Sequence, residues 1–114
     1  MKLVLATIQP TKLRAVKVAL AASGVERITV SDSQEFGDAA EINMVRGTQR
    51  PARVFRKVTL QIAVNDDFLE RTVETIGRVA RTGRVGNDND GQVCIIPLER
   101  TIDISNNSQG PGAV

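Results

Sequence analysis

Five cations crowd one short stretch of the chain with no acid among them: Arg46, Arg50, Arg53, Arg56 and Lys57. On a loop, such a concentration attracts acidic protein surfaces, phosphates or nucleic acid. A second stretch, "ARTGRVGNDNDGQVCII" from Ala80 to Ile96, reads as a helix end passing through a glycine-bearing loop into a strand. Loops of that kind turn backbone N–H groups toward a phosphate. This one, however, carries Asp88 and Asp90 where cations are expected. Together with Asp38 they are hard oxygen ligands of the type that takes Mg²⁺ or Ca²⁺, yet the glutamate that completes a calcium loop after "DNDG" is absent, so no metal site is expected. A Walker-type motif fails too, for want of the lysine and the hydroxyl residue after it.

Composition removes several chemistries at once. The 114 residues include no histidine, tryptophan or tyrosine, and only three phenylalanines. Histidine acid–base catalysis, histidine-rich metal sites and aromatic platforms for nucleic acid therefore lack their residues. No nucleophile stands beside a base, so an enzyme is not expected. A net charge of +2 with no aromatic interleaving argues against nucleic acid as a partner. The single Cys94 lies in the apolar run "VCII" and is expected to be a buried, inert thiol in a reducing compartment. No apolar stretch approaches the roughly 18 residues needed to span a bilayer. A soluble, cytoplasmic protein without direct membrane insertion is expected.

These residues need a scaffold, and the hydrophobic pattern supplies one. "KLVLATI", Lys2 to Ile8, reads as a strand stopped by Gln9-Pro10. Thr11 can cap a helix carrying Leu13, Val16 and Leu20 on one face, with Gly24 as a left-handed stop. "RITVSDS", Arg27 to Ser33, reads as a second strand. From Glu35 to about Arg56 periodicity vanishes, which predicts a long functional loop. "KVTLQIAV", Lys57 to Val64, alternates cleanly as a strand. Asn65 can cap a helix with Asp66 and Asp67 in its first turn and the stripe Leu69, Val73, Ile76 and Ala80, closed by Gly83. "QVCII" reads as a fourth strand and "RTIDIS" as a short edge strand. The order βαββαβ predicts an α+β, ferredoxin-like sandwich, an antiparallel sheet with two helices on one face. Its other face is expected to pack against further subunits. One domain over residues 1–105 follows, with a flexible loop at 37–56 and a mobile polar tail at 106–114.

Several strings in this order resemble the PII family of bacterial signalling proteins: "KLVLATIQPTKLRAVKVAL", "EFG" before the long loop, "RG" within it, "KVTLQIAVNDDFLERTVETI" and "ARTG" before a strand. The likeness spans about residues 1 to 105. It implies a homotrimer, an adenine nucleotide as effector in the clefts between subunits, and a protruding loop that docks on a transporter, enzyme or regulator. No other cofactor is implied. The partner-binding cations would be Arg46, Arg50, Arg53 and Arg56. Ile8, Thr29, Phe36, Gly37 and Ala63 match positions that surround base and ribose, and Gly83 and Gly91 match glycines at the two ends of the phosphate loop, which also holds Asp90.

The resemblance also exposes what is missing. An arginine usual after "FG" is Asp38, the lysine that closes the phosphate loop is Gln92, and two arginines of the last strand are Asp103 and Ser105. A hydrogen bond to a charged group is worth about 1.5–3 kcal/mol, so losing three implies ~5–8 kcal/mol if they add. AMP or ADP is therefore expected over ATP. Lys57 matches the lysine that meets a keto acid or other small anion in the family, but the glutamine that helps hold Mg²⁺ there is Ala39. Some divergent members respond to bicarbonate, which a basic loop would suit. Uridylylation of a loop tyrosine is excluded by composition. The alternative is a trimeric interaction protein of the same fold that has lost nucleotide binding.

Overall fold

A computed structural model describes residues 1–37, 44–45, 48–49 and 53–114. Strand β1 is Lys2–Ile8, helix α1 Leu13–Ala22, and strand β2 Thr29–Gly37. Two short strands, β3 Met44–Val45 and β4 Thr48–Gln49, pair with each other. Strand β5 is Arg53–Val64, helix α2 Asp66–Ala80 and strand β6 Gly91–Pro97. The main sheet has the order β2-β5-β1-β6 and its ladders are antiparallel. This is the α+β, ferredoxin-like arrangement that the pattern predicts.

Alternation explains the layers. Val4, Ala6 and Ile8 of β1 and Val58, Leu60, Ile62 and Val64 of β5 share one face by register. They are buried together with Val16 and Leu20 of α1 and Ile76 and Ala80 of α2. Fully burying a side chain such as Leu60 or Ile62 is worth about 1.5–3 kcal/mol. Thr72 and Thr75 join this core because each hydroxyl donates to a carbonyl one turn back, those of Phe68 and Arg71. Leu69 and Val73 of the expected stripe are half-buried against it.

The helix ends follow local chemistry. Pro10–Lys12 forms a 3₁₀ turn ahead of α1, so Thr11 does not cap the helix. Gly24, at φ 93°, supplies the expected left-handed stop, and Val25 N–H bonds back to Leu20 O at 2.9 Å. At α2 the Asp66 carboxylate receives the Met1 ammonium at 3.1 Å and the Lys2 ammonium at 3.2 Å.

Several expectations need correction. Residues Glu35 to Gly37 and Arg53 to Arg56 are not loop but ladder: β2 and β5 stay paired from Thr29↔Gln61 to Gly37↔Arg53. Cys94 is exposed, because it lies opposite Leu5 on the sheet face away from the helices. "RTIDIS" is not a strand; it contributes one bridge, Ile102 to Gln109. Gly83 lies beyond the end of α2 rather than closing it, since the chain turns extended at Arg81. The tail expected to be mobile folds back in a 3₁₀ turn at Gly110–Ala113, with Ala113 buried and Asn65 Nδ2 donating to Pro111 O at 3.3 Å. Among the described residues, no helix is long and apolar enough to cross a membrane.

Candidate functional site

The stretch between α2 and β6 folds around one carboxylate. Gly83 and Gly86 take left-handed conformations, at φ 63° and 84°, which lets the chain double back after Arg81. Asp90 then accepts from Thr82 N–H at 2.9 Å, from the Thr82 hydroxyl, and from Asn87 N–H at 2.8 Å. Gly86 N–H donates to Thr82 O, and Asn89 N–H to the Asn87 side chain. The Thr82 hydroxyl above all, then its backbone N–H, holds the Asp90 carboxyl below the ordinary carboxylate range. An anion thus already sits among the loop's donors, and it belongs to the chain itself.

The loop is also anchored from outside. The Asn89 carbonyl accepts from Gln9 Nε2 at 2.7 Å and from the Lys57 ammonium. Lys57 is 3 % exposed, and its nitrogen lies 3.8 Å from Glu35 Oε2. Gln9, Thr82, Asn89 and Glu35 are loop-positioning residues that the sequence reading missed. Gln9 reads only as the end of a strand, and an acceptor carbonyl leaves no mark in residue type.

Gly91 enters β6 at φ 115°, and a Cβ there would stand 1.8 Å from Thr7 O. The close approach of β1 and β6 is enough to require glycine. Ile8, Asp90, Gly91 and Gln92 line one hollow with Ile76, Ala80 and Arg81. The Ile8 side chain is 1 % exposed and serves the core.

The other expected site residues lie elsewhere. Ala63 borders a separate hollow with Val25, Arg27, Asn65, Phe68 and Val114. On β5 it lies five positions from Val58, the partner of Ile8, or roughly 17 Å at 3.3–3.4 Å per residue. Thr29 pairs with Gln61 near that same end. Within one chain Ile8, Asp90, Gly91 and Gln92 therefore form one group and Thr29 and Ala63 another. Phe36 and Gly37 lie on the far part of the β2–β5 ribbon, Phe36 exposed and opposite Val54. Arg56 is exposed opposite Gln34. The backbone of Arg53 opens β5, while its side chain lies outside the described residues, as do Asp38, Ala39, Arg46 and Arg50.

Asp103 and Ser105, which stand where the family resemblance places arginines, bond to each other. Asp103 Oδ1 accepts from Ser105 N–H at 2.9 Å and from its hydroxyl at 2.7 Å, shaping a turn that Asn107 completes at φ 56°. The Ser105 hydroxyl is the main cause that holds the Asp103 carboxyl low. Among the described residues, no group of three or more carboxylate or thiol side chains is placed to hold a metal ion.

Comparison with known proteins agrees with this architecture. The family model described as "Nitrogen regulatory protein P-II" matches residues 1–108. The chain is 38% identical over 118 residues to "Nitrogen regulatory protein GlnK1" of Methanosarcina mazei, covering 100% of this chain and 97% of that protein. It is 35% identical over 115 residues to "Nitrogen regulatory protein P-II" of Bradyrhizobium diazoefficiens, over the whole of both. "Nitrogen regulatory protein GlnK" of Escherichia coli is 32% identical over 105 residues, 91% of each chain. With a matching fold and a matching family model over nearly its full length, the chain belongs to the P-II family of nitrogen regulatory proteins.

Proposed function

We propose that three copies of this chain assemble through the open sheet face. The assembly brings the group at Ile8, Asp90 and Gln92 of one subunit against the group at Thr29 and Ala63 of the next, and an adenine nucleotide binds between them. It favours AMP or ADP over ATP, accepts a small anion such as bicarbonate, and reports through the arginine loop to a partner protein with an acidic surface. Leu3, Leu5, Cys94 and Ile96 share that open face by register, which supports association of copies.

The observation that carries the nucleotide preference is the occupied phosphate loop. The N–H groups of Thr82 and Asn87, which would serve a phosphate, are satisfied by Asp90. Gln92 brings no countercharge at the loop's end. Each further phosphate must therefore displace or repel a carboxylate, which disfavours the longest polyanion most. Calorimetry with AMP, ADP and ATP tests this, alongside light scattering for a mass three times 12.3 kDa. ATP binding tightest of the three would refute the preference. No binding of any at millimolar concentration would leave an interaction protein without a nucleotide.

A further inference from the structure

We infer that residues 109–114 are a releasable strap laid across the hollow beside Ala63, and that Asn65 is its clasp, holding the strap in one state and capping α2 in the other. Only the competition with a nucleotide at Ala63 rests on the reading above; the clasp is a property of the free chain.

Asn65 stands at the N-cap of α2 with the extended backbone of a capping residue, φ −74° and ψ 156°, and Phe68 N–H donates to its carbonyl at 2.9 Å. Its side chain nevertheless makes no capping bond. Nδ2 is engaged on Pro111 O at 3.3 Å, and Oδ1, which is buried, has no hydrogen-bond partner among the described residues. The donor is satisfied while the acceptor is stranded. An N-cap bond and a neutral hydrogen bond each shift an equilibrium by roughly two- to thirtyfold, so the side chain alone favours neither arrangement strongly. The balance toward the docked strap comes from Ala113, 5 % exposed, and from the bridge between Ile102 and Gln109 at the strap's root. Ala113 buries a single methyl, and Gly110 and Gly112 on either side of Pro111 bury none, which holds the margin to about tenfold. Val114 borders the same hollow as Ala63 and Phe68. A ligand that takes the Ala63 wall therefore meets the strap first, and release of the strap returns Asn65 Oδ1 to the N–H groups in the first turn of α2.

Amide relaxation and hydrogen exchange by NMR on the free protein, followed by calorimetry with ADP, test the two parts. In the parent, the Ala113 amide should be ordered. Asn65→Ser is too short to hold Pro111 but keeps a capping oxygen. Its Ala113 amide should become mobile, with an order parameter below about 0.6, while exchange at Asp67 and Phe68 slows about threefold. Ala113→Gln evicts the strap from the other side and leaves Asn65 intact; Asp67 and Phe68 should gain the same protection at a distance. Asn65→Ala should free the strap without that gain. With the strap released, Asn65→Ser and Ala113→Gln should each bind ADP about tenfold more tightly, because the open state is no longer a minor one. A mobile Ala113 already present in the parent would overturn the strap. Unaltered exchange at Asp67 and Phe68 in Ala113→Gln would overturn the clasp, and a released strap with unaltered ADP affinity would overturn the competition. Should Asn65→Ser fail to fold, Ala113→Gln decides. Failure of ADP to bind the parent and both variants would sink the nucleotide reading and the competition with it, while the clasp stands or falls on the free protein.

Discussion

Gln92→Lys tests where the missing charge matters. The position suits the experiment: Gln92 is exposed, follows the conformationally locked Gly91, and sits in register opposite Thr7 at the start of β6. Such a surface change shifts stability by only about 0.5 kcal/mol. Gln92 borders the hollow lined by Arg81 and Asp90, so the new ammonium is added at its edge. A charge-assisted hydrogen bond to a phosphate is worth about 1.5–3 kcal/mol, or about 10–150-fold in Kd. The Asp90 carboxylate is a near neighbour and competes for the same cation, which places the expected gain for ATP at the low end, about tenfold. AMP, with a single phosphate, should gain less. Calorimetry with AMP, ADP and ATP on both proteins reads the difference, and added salt should shrink it because the site is open to solvent. An ATP affinity unmoved by the substitution, or an equal gain for all three nucleotides, would show that the polyphosphate does not lie along this loop. Asp103→Arg is a poorer probe, since it removes the acceptor of both Ser105 bonds and with it the turn.

Three further outcomes are expected. Gly91→Ala drives a Cβ into Thr7 O, and with φ at 115° it should cost about 3 kcal/mol or more, seen as a large drop in Tm with or without nucleotide; an unaltered Tm would contradict the β1–β6 geometry. Leu5→Glu puts a charge in the middle of the open face, opposite Gln61 and Cys94, and should yield monomers by light scattering while circular dichroism stays unaltered; an intact trimer would place the interface elsewhere. The Asp66 carboxyl is held low by the Met1 ammonium first and by Lys2 second, so its contribution is present above the ordinary value of 3.8 and lost as pH falls through the depressed one. Asp66→Asn should therefore be less stable than the parent near neutral pH, with the gap closing below 3.8; a gap independent of pH would contradict the ion pairs.

The parts of the fold legible in the sequence are those where one face meets the core. β1, the inner half of β5 and both helices alternate because burial imposes a period, and so their order and their faces follow from residue type. The ribbon was illegible for the same reason. Beyond Lys57 neither face is covered, so Glu35, Phe36, Val54 and Arg56 can be exposed while the backbone ladder continues unbroken. Hydrogen bonding builds that segment, and it leaves no hydrophobic period to read. Cys94 shows the converse error. The run "VCII" is as apolar as a strand buried on both sides, but in one chain only Val93 turns even partly into the core, while Cys94 and Ile96 face away from the helices.

The site divides along similar lines. Its glycines were visible as residue types, yet Gly91 is required by Thr7 O rather than by a ligand, so a match to a binding motif and a steric necessity coincide at one position. Asp90 was visible as a charge out of place. Its partners show it to be the loop's own organiser, drawing in the N–H groups of Thr82 and Asn87. On the proposed reading, the acid that would weaken phosphate binding is also the group that shapes the loop, and replacing it to admit phosphate would remove the shape that phosphate needs. A gain of polyphosphate affinity has to come from a cation added beside Asp90, with Asp90 kept.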